Sequence, residues 1–160
     1  MIRSFIAHIS VIVGMFAQPA LSAPTACPIV PMKLTLDGGK AGPTAVILSD
    51  GSISGDQQSG DTAMVWDEPM QLRHQDGSTC AVSENVLIIA APIFNAGGKV
   101  LYVPTYSGSN SHLFAVSISN CEVLWESPVY TVGPKLRGEE FLFSDAPKAV
   151  IGPDCLPLKR

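Results

Sequence analysis

Between Asp50 and Asp61 the chain carries oxygen side chains at a spacing that suits a hard cation. Asp50, Ser52 and Ser54 stand at the first, third and fifth places of a twelve-residue loop, and Gly55 stands at the sixth. Asp56 takes the seventh, where a backbone carbonyl serves, and Gln58 and Asp61 take the ninth and twelfth. This is the oxygen-donor pattern of an EF-hand-type calcium loop, with the glycine making the sharp bend. It departs from that pattern in having serine where aspartate or asparagine is usual and Asp61 in place of a longer, bidentate glutamate. Its flanks also read as strands. The expectation is a polar Gly/Ser/Asp surface loop that could hold calcium weakly through Asp50, Ser52, Ser54, Asp56 and Asp61. No other cofactor is expected.

Other chemistry is sparse. His74 and His112 have no neighbouring Cys, Asp or Glu at metal-ligand spacing. The segment Gly51-Ser52-Ile53-Ser54-Gly55 has isoleucine where a nucleophile elbow needs serine. The adjacent acids Asp67-Glu68 and Glu139-Glu140 would point to opposite faces of a strand, which argues against a carboxylate dyad. No catalytic residue is assigned. The aromatics of the second half, with the polar loop Tyr106 to His112, are the better candidates for recognition. Tyr102, Tyr106, Asn110, His112 and Trp125 are the expected ligand- or partner-binding residues, because Tyr and Trp are enriched at such surfaces.

Four cysteines, Cys27, Cys80, Cys121 and Cys155, form no CxxC pair. Their even number, in a chain that reads as exported, predicts two disulfides. Of the three possible pairings, Cys27–Cys80 with Cys121–Cys155 is expected, since each would close one half of the chain. The export signal lies at the N-terminus. Arg3 is followed by the apolar run Phe5 to Phe16 and by small residues at Ala20 and Ser22. That is the secretory pattern, and the run is too short for a stable membrane span. Residues 1–22 are therefore expected to be a signal peptide and 23–160 a single β-rich domain. Its address would be periplasmic or extracellular. A net charge of −4 gives no footprint for nucleic acid.

The elements that must position these residues read as strands and turns. Thirteen prolines and fourteen glycines punctuate short apolar runs. Strands are predicted at Met32–Leu36, Ala45–Leu48, Ala63–Trp66, Met70–His74, Thr79–Val82, Val86–Ala90, Pro92–Phe94, Lys99–Val103, Leu113–Ser119, Glu122–Trp125, Val129–Val132 and Glu140–Phe143. Val86–Ala90, apolar throughout, is expected to be a central strand buried on both sides. Hairpins are expected at Asp76-Gly77, as a type I′ turn, at Asn95-Ala96-Gly97-Gly98, and around Ser119-Asn120. In the last of these, Phe114, Val116 and Ile118 share one face and Leu113, Ala115 and Ser117 the other. The fold class is all-β: a small, disulfide-stabilised antiparallel sandwich or barrel, or a propeller-blade-like stack.

Met64-Val65-Trp66-Asp67-Glu68-Pro69 echoes Val123-Leu124-Trp125-Glu126-Ser127-Pro128. The later copy belongs to a longer stretch with Leu101-Tyr102-Val103, Tyr106 and Leu113-Phe114-Ala115-Val116. Over residues 99–126 this stretch resembles one blade repeat of the quinoprotein-type (PQQ-like) β-propellers. Asn120-Cys121 stands where that family has a Thr-Gly turn. One blade cannot close a propeller, and no cofactor-binding residues correspond. The resemblance implies local antiparallel geometry and carries no activity.

Together these features suggest an exported, non-enzymatic binding module for a protein or envelope component, such as a small inhibitor or immunity-type protein. The alternatives are a small exported hydrolase or carbohydrate-active enzyme using a histidine and an acid, and a calcium-stabilised structural envelope protein.

Overall fold

The structure is a computed structural model that describes residues 26–56, 61–106 and 110–159. The expected signal segment lies outside these residues. The described chain forms sixteen short strands and no helix. In chain order these are β1 (Ile29–Pro31), β2 (Leu34–Thr35), β3 (Gly38–Ala41), β4 (Thr44–Ile47), β5 (Gly51–Asp56), β6 (Asp61–Trp66), β7 (Gln71–Arg73) and β8 (Thr79–Ala81). Then come β9 (Ile89–Ala90), β10 (Phe94–Ala96), β11 (Val100–Pro104), β12 (Leu113–Ser117), β13 (Val123–Glu126), β14 (Lys135–Arg137), β15 (Glu140–Leu142) and β16 (Ala149–Val150).

Four antiparallel sheets result. A five-stranded sheet in the order β1-β10-β11-β12-β13 is central. The sheets β2-β3-β4-β7-β8 and β5-β6-β9 contribute to a core on one of its faces, and β14-β15-β16 contributes to a second core on the other. Strict alternation along β11 and β12 makes this possible. Leu101, Val103, Phe114 and Val116 join the first core, with Val46, Trp66, Leu72 and Ile89 from the two sheets opposite. Val100, Tyr102, Leu113 and Ala115 join the second, with Tyr130, Phe141 and Ile151. The expected split of Phe114, Val116 and Ile118 from Leu113 and Ala115 is the division between the two cores.

The central, doubly buried strands are therefore β11 and β12, in which every residue is buried. The run Val86–Ala90, expected in that role, is not one continuous strand. Val86 closes a turn onto the Ser83 carbonyl, Ile88 has a φ of 54°, and only Ile89–Ala90 forms a strand, paired with β6, with Ile89 also bridging Thr105. A β-branched residue in the left-handed region cannot continue an extended run. Val129–Val132 is also not a strand. Tyr130 alone makes a bridge, to Ser111, while Val129 and Val132 face outward. The charged strand β14 (Lys-Leu-Arg) has too little apolar signal to be read from sequence.

The turns follow their glycines. Gly97 and Gly98, with φ of 58° and 68°, turn the chain between β10 and β11, whose closing pair is Ala96↔Val100. At Asp76-Gly77 the type I′ expectation is corrected. Only Gly77 has positive φ, and His74 and Ser78 close a three-residue loop. Asp76 Oδ1 accepts the Ser78 backbone N–H at 2.9 Å and its hydroxyl at 2.6 Å. These bonds lower the Asp76 pKa and favour the longer, right-handed turn.

The disulfides join Cys27 to Cys155 and Cys80 to Cys121, which corrects the expected pairing. The reason lies in the layering. Cys80, on β8, is tied to Cys121, in the turn after β12, across the first core. Cys27 precedes β1 and Cys155 follows β16, and their bond closes the second core. Each bridge joins two cysteines that border the same core, whereas each expected pair would have had to span the two cores on opposite faces of the central sheet. With sequence separations of 41 and 128 residues, the loop-entropy argument assigns them about 4 and about 5 kcal/mol. Gly97 is needed for the longer bridge, since a Cβ there would lie 2.7 Å from Cys155 Sγ. Peptide mapping of the oxidised protein is expected to return Cys27–Cys155 and Cys80–Cys121. Gly97→Ala is expected to lower the melting temperature of the oxidised protein, and to do so less after Cys27→Ala and Cys155→Ala have removed the bridge, the remainder being the cost of alanine at a positive φ.

Candidate functional site

The residues expected to form one recognition surface are divided by the central sheet. Tyr102 lies wholly inside the second core, and its hydroxyl donates to the Cys155 carbonyl at 2.8 Å. As a surface-binding residue it is corrected to a core residue, because a phenol on a doubly buried strand has no route to solvent. Trp125 is half-buried on the same face. His112 is on the opposite face. Its ring lies 5.8 Å from that of Phe114, and its Nδ1 is 2.9 Å from Glu126 Oε1 and 3.1 Å from the Ser127 carbonyl. Tyr106 and Asn110 are exposed. No hydrogen bond, ion pair or ring contact joins either side chain to His112 or Trp125 among the described residues. The middle of their loop, residues 107–109, lies outside the description.

The Asp50–Asp61 segment, expected as a loop, is a hairpin. β5 and β6 pair in continuous register from Gly51↔Trp66 to Asp56↔Asp61. Gly51 is required at its base. There Trp66, fully buried, donates from Nε1 to the Leu36 carbonyl at 2.7 Å, and a Cβ on residue 51 would lie 2.7 Å from that same nitrogen. A calcium loop must curl its donors around one point, whereas a ladder spends its backbone groups on pairing. The side chains of Ser54, Asp56 and Asp61 lie outside the description. Among the described residues no group of three or more His, Cys, Asp or Glu could hold a metal ion.

What the fold does assemble lies along β13, one of the two edge strands of the central sheet. β13 carries one extra residue: Val123 opposes Val116 and Trp125 opposes Ala115. Leu124, between them, is without a partner on β12, as the extra residue of a bulge is, and is 43% exposed. It faces the C-terminal segment. Leu124, Trp125, Pro128, Pro147, Leu156 and Leu158 line a groove of about 310 Å³, rimmed by Lys148 and Lys159 and free of acids. Leu124 and Leu158 are 43% and 55% exposed, a large apolar commitment to solvent at facing lips.

Leu124 and Leu156 also form a wall of a second depression, of about 520 Å³. Its other walls are polar: Thr44 and His74 from the β4-β7 sheet, Lys99, Ser117 and Ser119 from the ends of β11 and β12, and Asp154. The two depressions are neighbours along one edge. A wider hollow of about 640 Å³ near Lys33 and Asp37 is walled by β1, β3, β4 and the segment between β1 and β3.

Sequence reasoning named Trp125 but missed Leu124 and Leu158, because a strand edge and a C-terminal segment meet only in three dimensions. The pattern Leu156-Pro157-Leu158, directly after a cysteine, was the available signal. No protein-family model, curated protein or solved structure matches the chain.

Two buried phenols hold the frame behind this edge. The Tyr130 hydroxyl donates to the His112 carbonyl at 2.8 Å, as Tyr102 does to Cys155. Burial raises both phenol pKa values well above the ordinary 10.0, with the Asp154 charge adding to the effect on Tyr102. In the unfolded chain they ionise at the ordinary value, so their contribution is complete below pH 10.0 and is lost as pH rises toward the folded values. The urea midpoint is expected to fall steeply above pH 10 or so. It should fall less steeply in Tyr130→Phe, which keeps the ring packing and removes one ionisable group.

Proposed function

We propose that this protein is an exported binding module that takes an extended segment of a partner protein into the groove beside β13. The observation that carries the reading is the groove itself: an unpaired strand edge, an exposed leucine on each lip, and a half-buried tryptophan between them. An extended peptide can add main-chain hydrogen bonds to such an edge while its alternate side chains fill the apolar floor. In a chain of net charge −4, a groove lined by two lysines and no acid is a local reversal of sign. Lys148 is shared with Glu140, which leaves Lys159 as the main attraction for an acidic partner.

A second copy of the chain is the poorer occupant. A two-fold pairing of β13 with itself about Leu124 would place Glu122 against Glu126, and like charges directly opposite are destabilising. Bulges and charged residues are also how edges avoid unselective pairing. Two disulfides are compatible with an oxidising, exported location, and among the described residues no helix is long and apolar enough to cross a membrane.

The hydrolase alternative draws on the contact between His112 and Glu126. That pair stands outside the groove and the polar cleft, and the hydroxyl of Ser127, next to Glu126, is engaged by the Leu113 N–H and the Pro128 carbonyl. This arrangement supports binding over catalysis.

The test is selection from a random heptapeptide display library. Enriched peptides are expected to alternate β-branched or aromatic residues with polar ones and to carry acids. They should lose at least about tenfold in affinity on a Leu124→Asp, Leu158→Asp variant, whose stability changes little because both side chains are exposed. The reading fails if no peptide is enriched or if enriched peptides bind the variant equally well.

A further inference from the structure

The polar cleft that continues the groove has features that packing does not explain. Thr44 is only 5% exposed, yet its hydroxyl has no hydrogen-bond partner among the described residues. Among the described residues no fully buried side-chain polar atom is left unsatisfied, so this oxygen keeps some solvent exposure, and Thr44 lines the cleft. Lys99 makes no ion pair there. Ser117 and Ser119 share one hydrogen bond, at 2.9 Å between their Oγ atoms, which leaves one hydroxyl proton free to point outward. The His74 ring has only a loose contact, 3.8 Å from Nε2 to Cys80 Sγ. Polar groups that line a cleft without a protein partner are available to the acceptor atoms of a ligand.

We propose that this cleft receives the C-terminal carboxylate of the extended segment bound in the groove. The inference rests on the groove reading and adds the direction and end group of the partner. The direction follows from strand geometry. The groove lies toward the end of β13, at Trp125 and Pro128, while the cleft lies at Leu124 and at the tip of the β11–β12 pair, at Lys99, Ser117 and Ser119. A peptide added antiparallel to β13 runs from the first toward the second. Its last residue therefore reaches the cleft and its N-terminus points away.

The donors suit that end group. A carboxylate accepts from an ammonium and from several hydroxyls, and such charge-assisted bonds are the strong ones. Lys99 supplies the charge, and Thr44, Ser117 and Ser119 supply the O–H groups. Asp154 is the one acid in the wall, and its Oδ1 accepts the Leu156 N–H at 3.1 Å. Its remaining lone pairs suit the last backbone N–H of the peptide, so the cleft presents both an acceptor and donors. A longer partner that passed through the cleft would leave Thr44 and Lys99 unanswered.

The experiment uses heptapeptides enriched from a library displayed with free C-termini, each synthesised as the free acid and as the C-terminal amide. Binding to the oxidised full-length domain is measured by titration calorimetry. The acid is expected to bind at least about tenfold more tightly than the amide. That preference should shrink severalfold in Lys99→Gln and in Thr44→Val, with the amide's affinity unchanged. Amide resonances of Lys99, Ser117 and Ser119 should move with the acid and not with the amide. Equal affinity of acid and amide, with both sensitive to Leu124→Asp, would overturn this inference and leave the groove reading standing. If neither form binds, or both ignore Leu124→Asp, both readings fall. Thr44→Val is nearly isosteric and Lys99 is exposed, so neither variant should prevent folding. Melting temperatures of the variants check that directly.

Discussion

Both faces of β11 and β12 must be buried at once, and the rest of the structure depends on that requirement. A sheet with one wet face needs only one layer above it. Here Leu101, Val103, Phe114 and Val116 point one way and Val100, Tyr102, Leu113 and Ala115 the other, so the chain must supply a cover on each side. Each fully buried side chain of this size contributes roughly 1.5–3 kcal/mol, and loss of either cover would forfeit several at once. The first cover comes from the N-terminal half, β2 to β9, and the second from the C-terminal segment beyond β13. Each cover is small, and each is fastened to the centre by one disulfide. The bridges thus compensate for thin outer layers, much as they do in small secreted domains generally.

Much of this was legible from residue patterns. Fold class, the even cysteine count and the Gly97-Gly98 hairpin follow from local chemistry. The division of Phe114, Val116 and Ile118 from Leu113 and Ala115 follows from a period of two. The failures have a common origin: they concern which layer a segment joins. Val86–Ala90 is more continuously apolar than Lys99–Val103, yet a positive φ at Ile88 takes it out of the central role. Periodicity cannot report such a turn. The disulfide pairing failed for the same reason. Proximity along the chain favours Cys27 with Cys80, whereas the layers bring Cys27 to Cys155.

The candidate site was the least legible part. Aromatic content pointed to β13, where Trp125 lines the groove, and grouped with it residues that the fold places elsewhere. Tyr102 has its hydroxyl inside the core, and His112 belongs to the other face. The residues that shape the edge are ordinary ones, Leu124, Leu158, Thr44 and Lys99. They become distinctive only because a bulge, a C-terminal segment and two strand ends converge. The bulge breaks the β12–β13 register at Leu124, and that leucine lines the groove. A free edge beside the best-buried strands is well placed for recognition, because a rigid scaffold holds the groove with little ordering cost on binding.

Native-state hydrogen exchange of the oxidised protein tests the central-layer account most directly. Backbone amides of Leu101 to Val103 and Leu113 to Val116 that engage the β11–β12 ladder should exchange only through global unfolding. They should be the slowest in the molecule, with those of β13 and β14 opening at lower free energy. If the β11 and β12 amides exchanged as readily as those of the outer strands, or if the slowest set lay in Val86 to Ala90, the account would be contradicted.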